Sequence, residues 1–432
     1  MLLILLITLT VYVAMIFVTN HRTSIAFIGS GALLILGSIT SIFDANAAFL
    51  KFPTEIVILI IVLSLFTDIF ERLRLIDFIG YKFVSLSKEN KAIIMITIPL
   101  LMYFTSLFMN NLTVVLLFTY MALYLAIEYK LPIIPLLVSI VIGSNIGGAP
   151  LPWADTPAVV LTLYSDFNLL DFLNKLFIPC LIYAIGLSAY TYIWFRKSSV
   201  RKRDMPFKRR PPVHWKELRL PLIIFVLFII SVSVGPFINV SIAYISLLFG
   251  GMLLIVDKKK PMDALNDLPI MDSITFIIAL FLIGGVLEYS GALKIAAEYI
   301  IGFTNNNSYL ITLSVLFIAF IIATFLSAGP AAATLLPICS TLAPLVPFKL
   351  IYAALALGIL AGSSMLPWSA TGGPILMSQT NRFLKRPHMP EEQKRPIREI
   401  FNLKAYLLFS IPFSLIMLSL SAAYLVVYIS FF

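Results

Sequence analysis

Gly143-Ser144-Asn145-Ile146-Gly147-Gly148-Ala149-Pro150-Leu151-Pro152-Trp153-Ala154-Asp155-Thr156-Pro157 interrupts an apolar run over residues 131–164. That run is too long for one bilayer crossing, which takes about 20 residues, and too short for two crossings with a loop. It therefore predicts one broken helix. Three Gly, three Pro and a lone carboxylate at membrane depth free backbone N–H and C=O groups that lipid cannot satisfy, so the break must line protein or a watery cavity. The pattern recurs at Gly362-Ser363-Ser364-Met365-Leu366-Pro367-Trp368-Ser369-Ala370-Thr371-Gly372-Gly373-Pro374, where Leu-Pro-Trp is repeated outright. Interrupted helices in corresponding places of two halves are the sequence mark of a secondary transporter's binding site.

Working outward, 432 residues with 60% hydrophobic and 12% charged side chains predict an all-α polytopic membrane protein, because soluble domains carry about twice that share of charge. Spanning segments are expected near 2–19, 23–43, 53–70, 132–165 (broken), 175–195, 220–235, 239–256, 273–290, 350–380 (broken) and 405–430, about ten in all. The first lacks a basic leader and a small-residue cleavage site, which predicts a retained helix and not a signal peptide. Two further apolar pairs, 92–129 and 308–347, turn at polar or helix-breaking residues and read as hairpins, either re-entrant or fully spanning. Each returns the chain to the side it left.

With both termini outside, 27 of the 31 Lys and Arg fall in inner loops, as the positive-inside rule requires. The basic stretch over 196–219 is then a cytoplasmic linker that also attracts anionic membrane lipid; a nucleic-acid role is not expected. It divides residues 1–195 from 220–432. Asp44 answers Asp263, Glu71 answers Glu288 and Trp153 answers Trp368, at separations of 219, 217 and 215. Five crossings per half invert the second half, so the expected architecture is two inverted five-helix repeats, each with a hairpin and a discontinuous helix.

Candidate chemistry clusters at the breaks and hairpin turns. Asn110 and Asn111 can donate to an anion, offer carbonyl oxygen to a cation, or cap the helix that follows. Asp155 has Ala370 as its repeat counterpart; it can exchange a proton or neutralise a cation, or else cap the second half-helix with Thr156 and Pro157. The hydroxyls of Ser144, Thr156, Ser363, Ser364, Ser369 and Thr371 are plausible oxygen donors to a hard cation. Asp68, near Glu71 and Arg72, reads as an interfacial ion cluster, and Trp153 and Trp368 as packing residues. No Lys or Arg lies over 92–129, 131–174, 295–348 or 350–381, so an anionic substrate would depend on helix dipoles, amides and a co-transported cation. A Walker loop, a Gly-x-Ser-x-Gly elbow and paired membrane aspartates are all missing, which argues against ATP-driven or hydrolytic chemistry. His21, His214 and His388 sit in loops, and Cys180 and Cys339 in apolar segments, so neither a metal centre nor an organic cofactor is expected.

Asn110-Asn111-Leu112-Thr113, Ser144-Asn145-Ile146-Gly147-Gly148 and Trp153-Ala154-Asp155-Thr156-Pro157 resemble the ion transporter superfamily, nearest in pattern to the arsenite-efflux permeases and D-type sodium/proton antiporters, more distantly to the divalent-anion/sodium symporters. The resemblance covers nearly the whole chain. It implies that the hairpin tip and the broken helix meet at the midplane to bind substrate and coupling ion, assigning Asn110, Asn111, Thr113, Ser144, Asn145, Gly147, Gly148, Asp155 and Thr156 in the first half. In the second half, Ser363, Ser364, Ser369 and Thr371 stay in register. Ser327-Ala328-Gly329-Pro330 stands where the family carries an amide or carboxylate tip, so Ser327 and Gly329 remain candidates in a departure from a symmetric two-cation site. The resemblance also implies a scaffold, often dimerising, and a moving transport part.

The expected function is secondary active transport of an inorganic ion or oxyanion across the plasma (bacterial inner) membrane, coupled by Asp155 to a proton or sodium gradient, with antiport included. The alternatives are a sodium-coupled di- or tricarboxylate symporter, and a non-transporting membrane scaffold descended from a transporter.

Overall fold

The computed structural model describes residues 2–18, 21–50, 52, 54–75, 78, 82, 90–109, 111–128, 130–197, 215–235, 240–257, 259–266, 271–326, 328–384 and 401–431. Among them the regular structure is helical. The chain opens with α1 (Leu2–Phe17), α2 (Arg22–Thr40), the short α3 (Ala45–Phe49) and α4 (Thr54–Arg72). A hairpin of α5 (Lys91–Ser106) and α6 (Asn111–Glu128) leads into α7 (Ile133–Gly147) and α8 (Thr156–Tyr164). Then come α9 (Leu169–Phe172), a π-helical turn, α10 (Ile178–Lys197), α11 (Trp215–Val234), α12 (Ile242–Val256) and α13 (Pro261–Asn266). The second half continues with α14 (Met271–Tyr289), α15 (Ala292–Thr304), the hairpin α16 (Ser308–Leu326) and α17 (Ala328–Leu342), then α18 (Leu350–Ser363), α19 (Gly373–Leu384) and α20 (Leu403–Phe431). Most of the linker over 196–219 lies outside the described residues.

Among the described residues five helical stretches are long and apolar enough to cross a bilayer, and Ile28, Ile39 and Ile255 stand exposed, as lipid-facing side chains do in an integral membrane protein. Inside, helix packing separates two kinds of contact. Phe66 and Phe70 of α4 stack with Phe225 and Phe228 of α11, with ring centres 5.1–5.4 Å apart across the helices, and α4 also packs on α12. At its end, Arg72 pairs with Asp68 at 2.7 Å and with Asp257 at 2.6 Å, an ion cluster around Asp68.

The second kind of contact positions the site. In α7, a Cβ on Gly147 would lie 2.3 Å from the Tyr103 carbonyl oxygen of α5; in α18, a Cβ on Gly362 would lie 2.1 Å from the Phe320 oxygen of α16. Both breaks are therefore anchored by a helix that touches its own hairpin backbone to backbone, a separation that no side chain permits. Gly143 and Gly358, one turn earlier, make matching approaches to Pro99 and Leu316. The equivalent contacts recur at separations of 215 and 217 residues, the spacings that also relate the matched residues of the sequence.

The return arms are exchanged. α6 of the first hairpin packs against α19 of the second broken helix, and α17 of the second hairpin packs against α8 of the first. Val115 fills the space a side chain at Gly372 would need, and Thr156 sits against Gly329. This exchange brings both breaks to one place.

Candidate functional site

Residues 148–155 and 364–372 leave the helix at the points where Gly and Pro cluster. α8 restarts at Thr156 with Pro157 in its first turn, a position where the missing N–H is harmless, and α19 restarts at Gly373. α6 and α17 begin at the two hairpin tips, Asn111 and Ala328. Contacts among Asn111, Thr156, Ala328, Gly329 and Thr371 thus gather four helix N-termini around the breaks. Each N-terminus presents unsatisfied N–H groups and the positive end of a dipole.

Asp155 sits among them, 6% exposed. Although it holds the N-cap position of α8, its side chain makes no capping bond. Asn111 Nδ2 donates to Asp155 Oδ2 at 2.8 Å, and Thr371 Oγ1 donates to the same oxygen at 3.3 Å. The carboxylate therefore joins a hairpin tip to the break of the opposite half. Its other oxygen, Oδ1, is buried without a partner, and so is Oδ1 of Asn111. Two orphaned acceptors this close together suit a proton or a small cation, because a buried oxygen without a donor is destabilising.

A second bridge crosses nearby. Asn145 Nδ2 donates to Ser363 Oγ at 3.0 Å and to Ser364 Oγ at 3.2 Å, while both hydroxyls donate to the Leu360 carbonyl. Between the bridges lies a cavity of about 20 Å³ lined by Asn145, Gly148, Asp155, Pro157, Ala328 and Ser363. That is just above the roughly 10–15 Å³ one water needs, so there is room for an ion or a water beside Asp155. A larger cavity of about 440 Å³ lies between α8, α14 and α17, lined by Tyr164, Phe281, Glu288, Ala333, Pro337 and Thr341 among others.

The candidates from sequence are thus sorted by the fold. Asn111, Asn145, Gly148, Asp155, Ser363, Ser364 and Thr371 come together, with Thr156 and Gly329 at the edge. Ser144 instead bonds Ser106 of α5 at 2.8 Å, and Gly147 serves the same helix contact. Ser369 is taken up by the second break's own backbone, donating to the carbonyls of Ser363 and Leu366. Asn110 and Ser327 lie outside the described residues, as does the side chain of Thr113. Trp153 is buried at 5% exposure and packs in the first break.

Sequence reading missed two supports. Ser410 and Ser414 of α20 donate to the carbonyls of Met365 and Ala361, satisfying acceptors that the second break releases; paired serines one turn apart in an apolar helix were the available signal. Lys175 and Lys349 converge on Asp171, Lys349 at 3.1 Å, and Lys175 is buried 5.6 Å from the Phe167 ring centre. This ties the end of the first broken helix to the start of the second.

Comparison with known proteins agrees with this architecture. Residues 6–358 match the family described as CitMHS, citrate transporter. The chain is 24% identical over 411 residues, 92% of each protein, to magnetosome protein MamN of Magnetospirillum gryphiswaldense. It is 22% identical over 334 residues to a 46 kDa membrane protein of Mycobacterium leprae, covering 75% of this chain and 77% of the relative. The solved YdaH transporter of Alcanivorax borkumensis superposes with a TM-score of 0.62 at 13% identity, over 92% of this chain and 89% of the other. At that identity the likeness is one of fold.

Proposed function

Because the chain belongs to the citrate transporter family, we propose that it is a secondary active transporter that moves a small anion by alternating access, with Asp155 linking the anion to a proton or sodium gradient. One observation carries the proposal: a lone carboxylate with an orphaned oxygen is set where four helix N-termini meet. Each N-terminus acts as roughly half a positive charge, so the four together amount to about two. That field attracts an anion without Lys or Arg, and ionised Asp155 opposes it. A cation on Asp155 removes the opposition. Anion and cation then favour each other's binding, which is the linkage that coupled transport requires.

The family's description supports a di- or tricarboxylate as the anion, with sodium supplying charge that fixed basic residues do not. The small size of the cavity beside Asp155 supports the second reading, an inorganic ion or oxyanion. In both, the exchanged return arms give each half a way to open the shared site to one side. The matched glycine contacts support two equivalent repeats, and the Lys and Arg distribution supports inner basic loops and outer termini; five crossings per half then make the repeats inverted, with re-entrant hairpins. On that topology the 440 Å³ cavity faces outward.

The test is uptake into proteoliposomes under imposed proton or sodium gradients, with citrate, succinate, sulfate and arsenite as cargo. Gradient-driven uptake of one of them, lost in Asp155→Asn while the protein still folds, is the expected result. Uptake that is unchanged in Asp155→Asn would remove Asp155 from coupling. Uptake of none of the four would remove the anion reading.

A further inference from the structure

The two halves place four positions in corresponding places, of which one is threonine in both and the other three differ as a set. In the first half they are Asn111, Gly148 and Asp155, with Thr371 donating from the other break. Their counterparts at the separations of 217 and 215 are Ala328, Ser363 and Ala370, with Thr156 as the crossing threonine. The differences explain one another. A Cβ on Gly148 would lie 2.6 Å from Asn111 Nδ2 and 2.8 Å from Asp155 Cβ, so an amide at the tip demands glycine in the break. Where the tip is Ala328, no amide competes for that space and the break carries Ser363.

We infer that the chain holds one monovalent coupling cation, beside Asp155 and Asn111, and that the pseudo-symmetric position in the second half is blank. The inference rests on the transporter reading and adds to it the number of cations bound. Among the described residues of the two sets, the buried side-chain oxygens without a partner are Asn111 Oδ1 and Asp155 Oδ1, both in the first set. Among the described residues of the second set, Ala328 and Ala370 are buried and carry no side-chain oxygen, and the Ser363 hydroxyl is engaged by Asn145 and Leu360. A cation there would be buried without a carboxylate, where the desolvation of a charge goes uncompensated. Exchange of the carboxylate and amide together, with the compensating Gly for Ser, leaves a packed half-site and not a damaged one.

The experiment counts cations on the purified full-length chain in lipid nanodiscs, using radiolabelled sodium and, separately, proton uptake. The expected result is one sodium ion or one proton per chain, each displacing the other, with none in Asp155→Asn. Combining Ala328→Asn, Ser363→Gly and Ala370→Asp should raise the count to two in protein that retains its melting transition. Two cations per wild-type chain, no saturable binding, or binding that survives Asp155→Asn would each overturn the inference. Because the wild-type count alone decides, failure of the triple variant to fold does not protect the proposal. One bound cation in a protein that accumulates no anion in vesicles would uphold the count and overturn the transporter reading instead.

Discussion

Replacing Gly148 with Ala adds one methyl group at the point where the first break, the hairpin tip and the carboxylate meet. Gly148 has φ −76° and ψ −9°, which alanine adopts freely, so the backbone contributes no penalty. The effect is steric. The new Cβ would stand 2.6 Å from Asn111 Nδ2, 2.8 Å from Asp155 Cβ and 3.0 Å from Asn111 Oδ1. Asn111 can swing away, but only by giving up its 2.8 Å bond to Asp155. Overpacking of this kind costs about 1–3 kcal/mol, which at 1.4 kcal/mol per tenfold corresponds to a loss of about 5- to 150-fold in affinity for the coupling cation. The assay is cation-dependent uptake in proteoliposomes, read as the cation concentration giving half-maximal rate, with the melting temperature as a fold control. Gly251→Ala is the matched comparison, since a Cβ there meets nothing within 4 Å, and it should leave the rate unchanged. An unchanged half-maximal concentration in Gly148→Ala would refute the claim that Asn111 and Asp155 form the cation position.

Other perturbations separate site from scaffold. Gly362→Ala drives a methyl group to 2.1 Å from the Phe320 backbone oxygen, which cannot rotate away, so folded yield should fall sharply while Gly302→Ala, with open space around it, folds normally; equal yields would contradict the close helix contact. Asn145→Ala removes the donor shared by Ser363 and Ser364 and should lower stability by about 0.5–1.5 kcal/mol, measured as a lower melting temperature and a raised substrate KM. Asp171→Asn leaves buried Lys175 and its neighbour Lys349 without a counter-charge, a loss of roughly 3–5 kcal/mol for a buried pair, and adding Lys175→Met should recover part of it. If Asp171→Asn melts like the wild type, the ion cluster contributes nothing to joining the two broken helices.

The sequence by itself determined that this is a helical membrane protein, where its two helices break, and that the breaks correspond. Those properties follow from local causes: apolar length fixes a span, and Gly with Pro removes the helical hydrogen bonds that lipid cannot replace. Asp155 was visible as a candidate for the same reason, being the one carboxylate in either break. What its carboxylate touches was not local. Asn111 stands 44 residues before Asp155 and Thr371 stands 216 after it, and only the exchange of hairpin arms between halves makes them neighbours. Contacts within each half set Ser144 and Ser369 apart, since they carry the same hydroxyl as Ser363 but face a helix of their own hairpin and their own backbone. Periodicity shows which residues can reach a break; packing decides which of them share it, because the direction of a side chain at a break is set by the helices that close around it.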